Sequence, residues 1–505
     1  MLSALCDYPE HIKNIFVDSA DNNPTPCGAY IVQIYVRGKC NQILVDDSVP
    51  MKNIDDFLDL GTSTETENLN EKLQSLFFMK PPVTAENYFD AKVDIWPQLI
   101  AKAYAKQMIN YERISQQSIV HFLRDLISYP VRRLKMKEIN WKFIRAAWTN
   151  KYVVIAHANQ KFLAKHCSLD LTGYNQHTCY CILSHAFDDK EAKIKIVNLK
   201  CYSHVVKDSM ALNLDVMINI DDDWRVNRSY AKSNTKNFWM DWSEFEEMFS
   251  HITVGYLDDN YKRVARKFTL KKLNYYSLEF EVQENGGPVF IEVQQLDKIF
   301  CSKNHEYSNI RVFLYKKSET SPKHSLEKGI FTYNKRDSVM EHKLPVGHYG
   351  LIIETDDYLK ESKDFMVNIF YKSFPYQLMQ IVAYEDDNVG GYSRRAFSDM
   401  LCNAAIDKGE KRLLTKDEKV CLYLLRSKKL GLFVVAFANL SENLFSVMQK
   451  YDTSGCDYIV NKDMTENDII SMNLAPFAKK AIIFKTKYMS DVTIKLVDTC
   501  IRQIS

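Results

Sequence analysis

The stretch Ser277-Leu-Glu-Phe-Glu-Val282 alternates apolar and polar side chains strictly, which is the period of a strand with one buried face. Two later stretches repeat this alternation, Phe290-Ile-Glu-Val293 and Ile310-Arg-Val-Phe-Leu314. A Pro345-Val-Gly347 turn follows, with strand-like residues on either side of it. Residues 259–374 are therefore predicted to form an antiparallel β-sandwich.

The remainder of the chain after this segment, residues 375–505, begins with helical patterns and ends with strand patterns. Helices are predicted at residues 394–406 and around residues 416–425. Strands are predicted at residues 432–437 and 481–484. The pattern indicates a helical connector that leads into a second β-rich domain.

The N-terminal side of the chain mixes helices and strands. Residues 30–36 and 42–45 are predicted to form a hairpin around the Arg37-Gly38-Lys39 turn. Residues 96–111 are predicted to form a strong helix, because Pro97 suits a first turn and apolar residues recur on one face.

From residue 131 onward the pattern is mostly that of strands, and we expect strands at residues 152–156, 178–183 and 194–199. An amphipathic helix is predicted after them, at residues 241–249. Segments 1–130 and 131–258 are predicted as separate parts, and the fold class is predicted to be α+β.

Composition excludes several classes of protein. The chain has 505 residues, 66 Lys and Arg against 64 Asp and Glu, and a net charge of +2, so no strong field for nucleic acid or anionic membrane is expected. With 46% hydrophobic residues, extended disorder is not expected either. Neither a phosphate-binding GxxxxGK[ST] loop nor a GxGxxG motif is present, which argues against the usual nucleotide-dependent enzymes.

The 12 cysteines contain no CxxC pair, and neither a signal peptide nor an apolar run of membrane-spanning length is present. A reduced, intracellular and cytoplasmic setting is therefore predicted.

Six stretches, taken in order, resemble motifs of the calpain family of papain-like cysteine proteases. Four lie in the first half of the chain: MLSALCDYPEHIKNIF at 1–16, VDDSVP at 45–50, Trp96 with AKAYAK at 101–106, and FWM at 238–240. Two more, LPVGHY at 344–349 and DFMV at 364–367, resemble signatures of the calpain-type β-sandwich. The resemblance implies two halves of a papain-like protease core at 1–130 and 131–258, the first truncated at its N-terminus. A calpain-type sandwich at 259–374 and the second β-rich domain at 375–505 would follow.

A calpain requires a cysteine thiolate, a histidine that activates it, and an asparagine that orients the imidazole. The resemblance places the nucleophile two residues before Met1 and the histidine at His177, with His185 as a competing candidate. It places Cys201 where the catalytic asparagine belongs. Cys6 lies about two helical turns beyond the nucleophile position, and we expect it to be a buried helix residue.

Further departures from the family pattern concern the residues around these positions. A thiol is a weak donor and acceptor, so Cys201 is a poor substitute for an amide. Asn198 is three residues away on the same predicted strand and is expected on its opposite face. Gln116-Gln117 stand where the family has Gly-Gly. These departures predict an inactive protease, in which His177 and Cys201 are remnants and no catalytic, cofactor or metal site is expected.

Metal binding is a weaker interpretation. The residues His177, Cys179, Cys181, Cys201 and His204 are of the types that bind zinc, but their spacing favours small buried thiols in a sheet. The acidic clusters at 221–223 and 385–388 do not match an EF-hand loop. The resemblance implies calcium as a candidate cofactor, with no assignable ligands.

Two aromatic groups, at 238–242 and at Tyr275-Tyr276, fit either surface anchors for a partner or packing between domains. Both alternatives stay open at the level of sequence.

The leading hypothesis is a non-catalytic calpain-like protein that serves as a scaffold or assembly component of an intracellular, cytoskeletal or axonemal complex. Its partners would be other proteins, with neither nucleic acid nor a membrane span involved. The alternative is an active calcium-dependent cysteine endopeptidase whose nucleophile lies upstream of Met1. A third interpretation, a sandwich that binds phospholipid under calcium control, is disfavoured by the near-zero net charge.

Overall fold

The computed structural model describes most of the chain in two compact units, Met1–Asp259 (the N-terminal unit) and Asn260–Ser505 (the C-terminal unit). Antiparallel sheets with a few helices make up both units, which confirms the α+β class. The division into four domains stays a prediction. The described residues are 5, 8–17, 27–48, 96–115, 118–158, 179–187, 195–201, 236–270, 275–282, 286–301, 306–318, 324–355, 363–372, 381–385, 391–460, 464–465, 469–486 and 493–504.

The N-terminal unit begins with helix α1, Pro9–Lys13, and a sheet in the order β1-β2-β3. Strand β1 is Phe16–Val17, and the predicted hairpin is confirmed as β2, Ala29–Val36, and β3, Lys39–Asp46. Both turn residues, Arg37 and Gly38, have positive φ, at 52° and 76°. Such values suit a two-residue hairpin turn, because they match the twist of the strands.

Three helices follow in the described part of this unit: α2, Trp96–Gln107; α3, Tyr111–Ser115; and α4, Ile119–Leu126. The predicted helix at 96–111 thus ends four residues early, and the chain restarts as α3. Its predicted apolar face is confirmed, because Leu99, Ile100 and Tyr104 are buried. Helix α2 packs on β2 and β3.

A second sheet in the N-terminal unit has the order β4-β9-β5-β6-β7-β8 within the described residues. Helix α5, Trp141–Thr149, begins at Asn140, whose side chain accepts a hydrogen bond from Phe143 N at 2.9 Å. Helix α6, Trp242–Met248, confirms the predicted amphipathic helix. The strands, which include the three predicted ones, are β4 Val131–Lys135, β5 Val153–Ala158, β6 Cys179–Phe187, β7 Lys195–Cys201, β8 Lys236–Asp241 and β9 Phe249–Gly255.

The C-terminal unit begins with two sheets that share one hydrophobic core, built from alternate residues of both. Their orders are β10-β17-β12-β15 and β14-β13-β16-β11-β18. We call them the first sheet pair. The strands are β10 Tyr261–Leu270, β11 Tyr275–Val282, β12 Gly287–Gln295, β13 Ile310–Lys317, β14 His324–Thr332, β15 Asp337–Leu344, β16 Gly347–Thr355, β17 Lys363–Lys372 and β18 Ile381–Glu385.

A turn at residues 344–347 connects β15 to β16, as the Pro-Val-Gly motif predicts. The hydroxyl of Tyr349 donates to Pro345 O at 3.0 Å and fastens this turn to the following strand. Gly347 has a φ of 150°, which an L residue rarely adopts.

A second sheet pair follows helix α7, Tyr392–Lys408, which confirms the helix predicted at 394–406. The sheet orders are β19-β20-β21-β26-β23 and β24-β25-β22-β27. The strands are β19 Glu410–Leu413, β20 Val420–Ser427, β21 Leu432–Asn439, β22 Leu444–Gly455, β23 Tyr458–Val460, β24 Met464–Thr465, β25 Ile469–Leu474, β26 Lys479–Lys485 and β27 Thr493–Ile504.

The helix predicted around residues 416–425 is wrong. Residues 420–427 form β20 instead, between β19 and β21. The pattern of a short apolar run fits a helix as well as a strand. Here residues 420–427 pair with the fully buried strand β21, and this pairing makes them a strand.

Helix α7 packs against both sheet pairs. Phe397, Met400 and Leu401 share a core cluster with residues of β13 and β16 on one side and with residues of β21 and β26 on the other. The Ser393 and Ser277 hydroxyls, which are buried, hydrogen-bond at 2.7 Å and fix the N-terminal end of α7 to β11.

A buried group of charges also connects the two sheet pairs. Glu354 of β16 accepts from Arg311 Nη1 at 3.0 Å and from Lys485 Nζ at 2.6 Å. Arg311 donates as well to Leu430 O at 2.8 Å and to Thr486 O, both from the second pair. The three charged side chains have exposures of 2–3%. We call these three residues the charge cluster.

In the described part of the chain, no helix is both long enough and apolar enough to cross a membrane.

Candidate active-site region

Of the two remnant positions, Cys201 is the one that the structure describes. Cys201 is the last residue of β7, and its partners in the sheet are Tyr180 on β6 and Lys236 on β8. His177 lies outside the described residues, as does Cys6. Opposite positions on paired strands are the ones whose side chains come closest. The described residue across from Cys201 on β6 is therefore a tyrosine.

The competing histidine is placed further along the same pair of strands. His185 is opposite Val197, and Asn198 is opposite Ser184. An irregularity between Ile182 and Ser184 shifts the register by one residue at this point. Neither His185 nor Asn198 is opposite Cys201, so the ladder does not pair the competing histidine with the asparagine position.

A row of residues across the sheet, one position from the Cys201 row, contains two histidines that the sequence did not single out. Lys135 of β4 pairs with His251 of β9, which pairs with His157 of β5, which pairs with Cys179 of β6. We call this the histidine row. The Cys201 row runs through Tyr180 of β6, Ala156 of β5, Ile252 of β9 and Leu134 of β4.

The two imidazoles of the histidine row are in direct contact. Their centroids are 4.2 Å apart, with 17° between the ring planes. Nε2 of His157, which is buried, lies 2.8 Å from the hydroxyl of Thr253, and Nδ1 of His251 lies 2.7 Å from the hydroxyl of Ser250. Arg133 adds a guanidinium nitrogen 3.4 Å from the same Nδ1 of His251. Each of the two imidazoles therefore has a hydroxyl partner within the described sheet.

Sequence reasoning missed the histidine row for a physical reason. The two histidines are 94 positions apart in the chain, and only the strand order β4-β9-β5-β6 makes them neighbours. The available signal was weak: His157 follows the apolar run of β5, and His251 lies near the start of β9.

Two stretches that carry the resemblance contact each other in the N-terminal unit. Lys102 on α2 donates to the Asp46 carboxylate and to Asp46 O and Ser48 O at the end of β3. Lys106, one turn later, donates to Leu44 O at 2.8 Å. The hydrogen bond from Lys102, joined by those from Ser48, lowers the pKa of Asp46 to about 2.

The inner face of α2 is fixed by a buried tyrosine. Tyr104 donates from its hydroxyl to Asp125 of α4 at 2.9 Å, and its ring meets Phe122 edge to face at 4.4 Å. Asp125 is also buried. The two helices are thus joined by a polar contact within an apolar core, so this stretch positions secondary structure.

The described aromatic side chains of the two candidate anchor groups are buried. Trp242 packs against Trp141 at 5.6 Å and against Phe245 at 5.3 Å. Tyr276 stacks on Phe268 at 4.1 Å, and Tyr275 packs against Phe397 at 5.0 Å. These contacts favour packing over surface anchoring for these residues.

The candidate metal ligands are only partly described. Cys179 and Cys181 lie on β6 and Cys201 on β7, while His177, His204 and the cluster at 221–223 lie outside the described residues. Glu385 ends β18, and residues 386–388 lie outside. Among the residues that the structure describes, no group of three or more metal-binding side chains is present. Calcium binding therefore stays a prediction.

Comparison with known proteins gives a match over the first half of the chain. A family model described as calpain family cysteine protease matches residues 1–256. No curated protein matches the chain. Among solved structures, Streptomyces albus HEPD with 2-hydroxyethylphosphonate and Fe(II) bound is 9% identical. It covers 88% of this chain and 89% of its own, but its TM-score is 0.10, so it carries no argument.

Proposed function

The chain belongs to the calpain family of cysteine proteases, and from this premise we propose that it is a non-catalytic member that acts as a structural or assembly component. The observation that carries the proposal is the cysteine at position 201, where the family resemblance requires the orienting asparagine. An asparagine carbonyl fixes the tautomer and orientation of an imidazole, and a thiol cannot replace it.

The described contacts around this position are structural contacts between neighbouring strands. The residue opposite Cys201 is Tyr180. In the adjoining row, His157 and His251 have hydroxyl partners at 2.8 and 2.7 Å. These contacts stabilise the sheet, and they would do so whether or not a substrate is cleaved.

The stretches that resemble the family most are used for packing. Lys102 is bound to the end of β3, and Tyr104 is bound to Asp125. The chain has kept these contacts although the asparagine position is substituted. This combination suggests that the protein uses the shape of the fold and not its catalytic chemistry.

The layout that accompanies this proposal has two papain-like halves at 1–130 and 131–258, a calpain-type sandwich at 259–374 and a further β-rich domain at 375–505. Other proteins of an intracellular assembly would be the partners. By analogy with inactive calpain-like chains we place this assembly at the cytoskeleton or axoneme, and a pull-down from the native source tests that placement.

The second candidate is an active, calcium-dependent cysteine endopeptidase whose nucleophile precedes Met1. It is favoured by one feature, the presence of His177 at the position that the resemblance gives to the catalytic histidine. In this case Cys201 would limit the rate, since loss of the orienting residue of a triad lowers kcat by about 10⁴-fold.

The test is a restoration experiment on the protein as it occurs in its native source, with its N-terminus determined by mass spectrometry. Wild type and Cys201→Asn are compared for cleavage of an unfolded substrate and for labelling by an epoxide that targets papain-like thiols, with and without calcium. Cys500→Asn, at an exposed cysteine of β27, is the matched control.

The proposal expects no cleavage and no labelling by any of the three proteins. Cleavage by wild type would establish the endopeptidase. If only C201N cleaves, the chain has kept its remaining catalytic groups and loss of the asparagine alone has inactivated it.

A further inference from the structure

Strand β27, Thr493–Ile504, is the longest edge strand in the described part of the chain, with 12 residues. It stands last in the order β24-β25-β22-β27 and pairs with β22 on one side. On its other side no described residue forms a backbone hydrogen bond with it. The free N–H and C=O groups of such an edge can pair with a strand of another chain.

Several other edge strands of the C-terminal unit have features that discourage such pairing. Strands β24, β23 and β19 have only two, three and four residues. Strand β10 is longer, but four of its ten residues are Lys or Arg. In β27 a bulge interrupts the pairing before Asp498, whereas residues 498–504 pair with residues 444–450 of β22 without a break. These residues of β27 contain neither proline nor glycine, and we call 498–504 the open edge.

The two faces of the open edge differ. Thr499 and Ile501 face the core of the second sheet pair, where Ile501 packs against its buried residues and Thr499 accepts from Gln449 Nε2 at 3.2 Å. Asp498, Cys500 and Arg502 alternate with them and are exposed on the outer face. Any strand that is added to this edge must continue both faces, because a slip by one residue exchanges them.

The two charged residues of the open edge have opposite signs. Neither Asp498 nor Arg502 forms an ion pair with any residue that the structure describes. On β22, Lys450 is opposite Asp498, and Ser446 is opposite Arg502. A strand that carries both signs, four positions apart, can be complementary in charge to a second copy of itself.

The register of such a pair is determined by these residues. Two copies related by a two-fold axis pair antiparallel, so that one residue lies opposite itself on the axis. An axis at Asp498 or at Arg502 brings like charges together, which is destabilising. An axis at Thr499 or at Ile501 leaves both charges without an opposite charge. An axis at Cys500 places each Asp498 opposite Arg502 of the other copy and continues both faces.

The size of the contact predicts its strength. A stable protein interface buries about 800 Å² on each partner. One strand edge offers less than this, since its faces already belong to a sheet and only its backbone and adjacent side chains are added. The dimer should therefore be weak and reversible, and its formation should depend on protein concentration.

We propose that the open edge binds the same edge of a second copy of this chain, antiparallel, with the two-fold axis at Cys500. The four-stranded sheet of one copy then continues into that of the other. Backbone hydrogen bonds provide the attraction, and the two pairs of Asp498 with Arg502 select the register. The dimer does not depend on the proposed loss of catalysis, since an active chain would form it equally.

Cys500 reports the register directly. Residues directly opposite in an antiparallel pair have Cα atoms about 4.5–5.5 Å apart. This distance lies within the range of about 4.4–6.8 Å that disulfides require. The oxidant diamide takes up one hydrogen from each of two thiols, and the two sulfurs then form a bond. Treatment of the dimer with diamide should therefore join two chains through Cys500.

The experiment is sedimentation velocity of the full chain under reducing conditions, from about 1 to about 100 μM, the range in which weak dimers form. Asp498→Arg and Arg502→Asp each replace two attractive pairs by two repulsive ones. The double variant D498R/R502D restores opposite charges across the axis while keeping the new arginine beside Lys450. Arg412→Asp, at an exposed residue of the short edge strand β19, is the matched control.

Wild type is expected to dimerise with rising concentration. D498R and R502D should each raise the dimer dissociation constant by about tenfold or more. The double variant should return to within about threefold of wild type, and R412D should equal it. Diamide should yield covalent dimers of wild type and of Cys40→Ser, at an exposed cysteine of β3, but not of Cys500→Ser.

Three results would overturn the proposal. The first is a wild-type chain that stays monomeric over the whole concentration range. The second is a dimer that D498R and R502D leave unchanged, which places the contact elsewhere on the molecule. The third is a dimer that is weakened by both single variants but not recovered by the double variant, or not cross-linked through Cys500, which excludes the register centred on this residue.

Discussion

Lys485 of β26 and Glu354 of β16 form a fully buried ion pair at 2.6 Å, although they are 131 positions apart in the chain. Tyr275 accepts a hydrogen bond from the same ammonium group at 3.1 Å, and the ring of Phe397 lies 5.2 Å from it. Arg311 contributes the second cation. One carboxylate therefore accepts hydrogen bonds from both buried cations, which makes Glu354 the most sensitive member of the charge cluster.

Glu354→Gln is expected to lower the free energy of unfolding by about 3–5 kcal/mol, because it removes the carboxylate that both buried cations contact. Lys485→Met leaves one cation and one carboxylate, and its cost should be less than half of that. Urea unfolding at neutral pH measures both. An E354Q variant no less stable than K485M would contradict this account of the cluster.

The contact between Lys102 and Asp46 predicts a lowered pKa of the Asp46 carboxyl group, which can be measured. The pKa of Asp46 is lowered from 3.8 to about 2 in the folded protein, first of all by the hydrogen bond from Lys102. A lowered pKa stabilises the fold above the unfolded value, and the contribution is lost as pH falls from about 4 towards about 2. Carbon-13 NMR of the carboxyl group should report this pKa.

Lys102→Met is expected to return the pKa of Asp46 most of the way towards 3.8, since its first cause is removed. Lys39→Met, at an exposed lysine at the other end of β3, is the control and should leave it low. If Asp46 titrates near 2 in K102M, the remaining hydrogen bonds from Ser48 are the dominant cause.

Because Gly350 has no side chain, the ring of Tyr315 can lie against its backbone. A Cβ at this position would lie 2.1 Å from Tyr315 Cζ, and this ring is fully buried. Gly350→Ala should therefore cost about 1–3 kcal/mol through overpacking. Gly287→Ala, where nothing lies within 4 Å of the added Cβ, should be close to neutral. Equal midpoints for the two variants in urea would show that the ring moves aside freely.

The buried amide of Asn439 connects the turn before β22 with the turn after β25. Asn439→Ala removes the donor that contacts the carbonyl oxygens of Asn443, Leu474 and Ala475, and it should cost about 1–3 kcal/mol. Asn473→Ala, at an exposed position of β25, should stay within about 0.5 kcal/mol of wild type. Thermal unfolding monitored by circular dichroism distinguishes the two. A neutral N439A would show that this amide does not hold the two turns together.

Sequence reasoning succeeded where local pattern determines structure. The hairpin around Gly38, helix α2 and helix α7 were all predicted, because turn chemistry and apolar periodicity act over a few residues. The helix expected around residues 416–425 failed, because pairing of β20 with its neighbours outweighs local preference.

The parts that could not be predicted depend on contacts between distant residues. The stacked pair of His157 and His251 requires the order of strands in a sheet, which no local pattern encodes. The burial of Lys485 runs against the usual exposure of lysine, and its contact with the distant Glu354 explains it. His177 and Cys201 were found through the resemblance.

The distance along the chain between the members of the charge cluster has a consequence for synthesis on the ribosome. Arg311 and Glu354 are 43 positions apart and belong to the same sheet, whereas Lys485 follows Glu354 by 131 positions. At about 5–20 residues per second, roughly 7–26 s pass between the translation of Glu354 and that of Lys485. During that interval the apolar face of the first sheet pair that later packs against α7 and the second pair stays uncovered. A slow translation step or a premature stop between these codons would therefore leave that face exposed to aggregation.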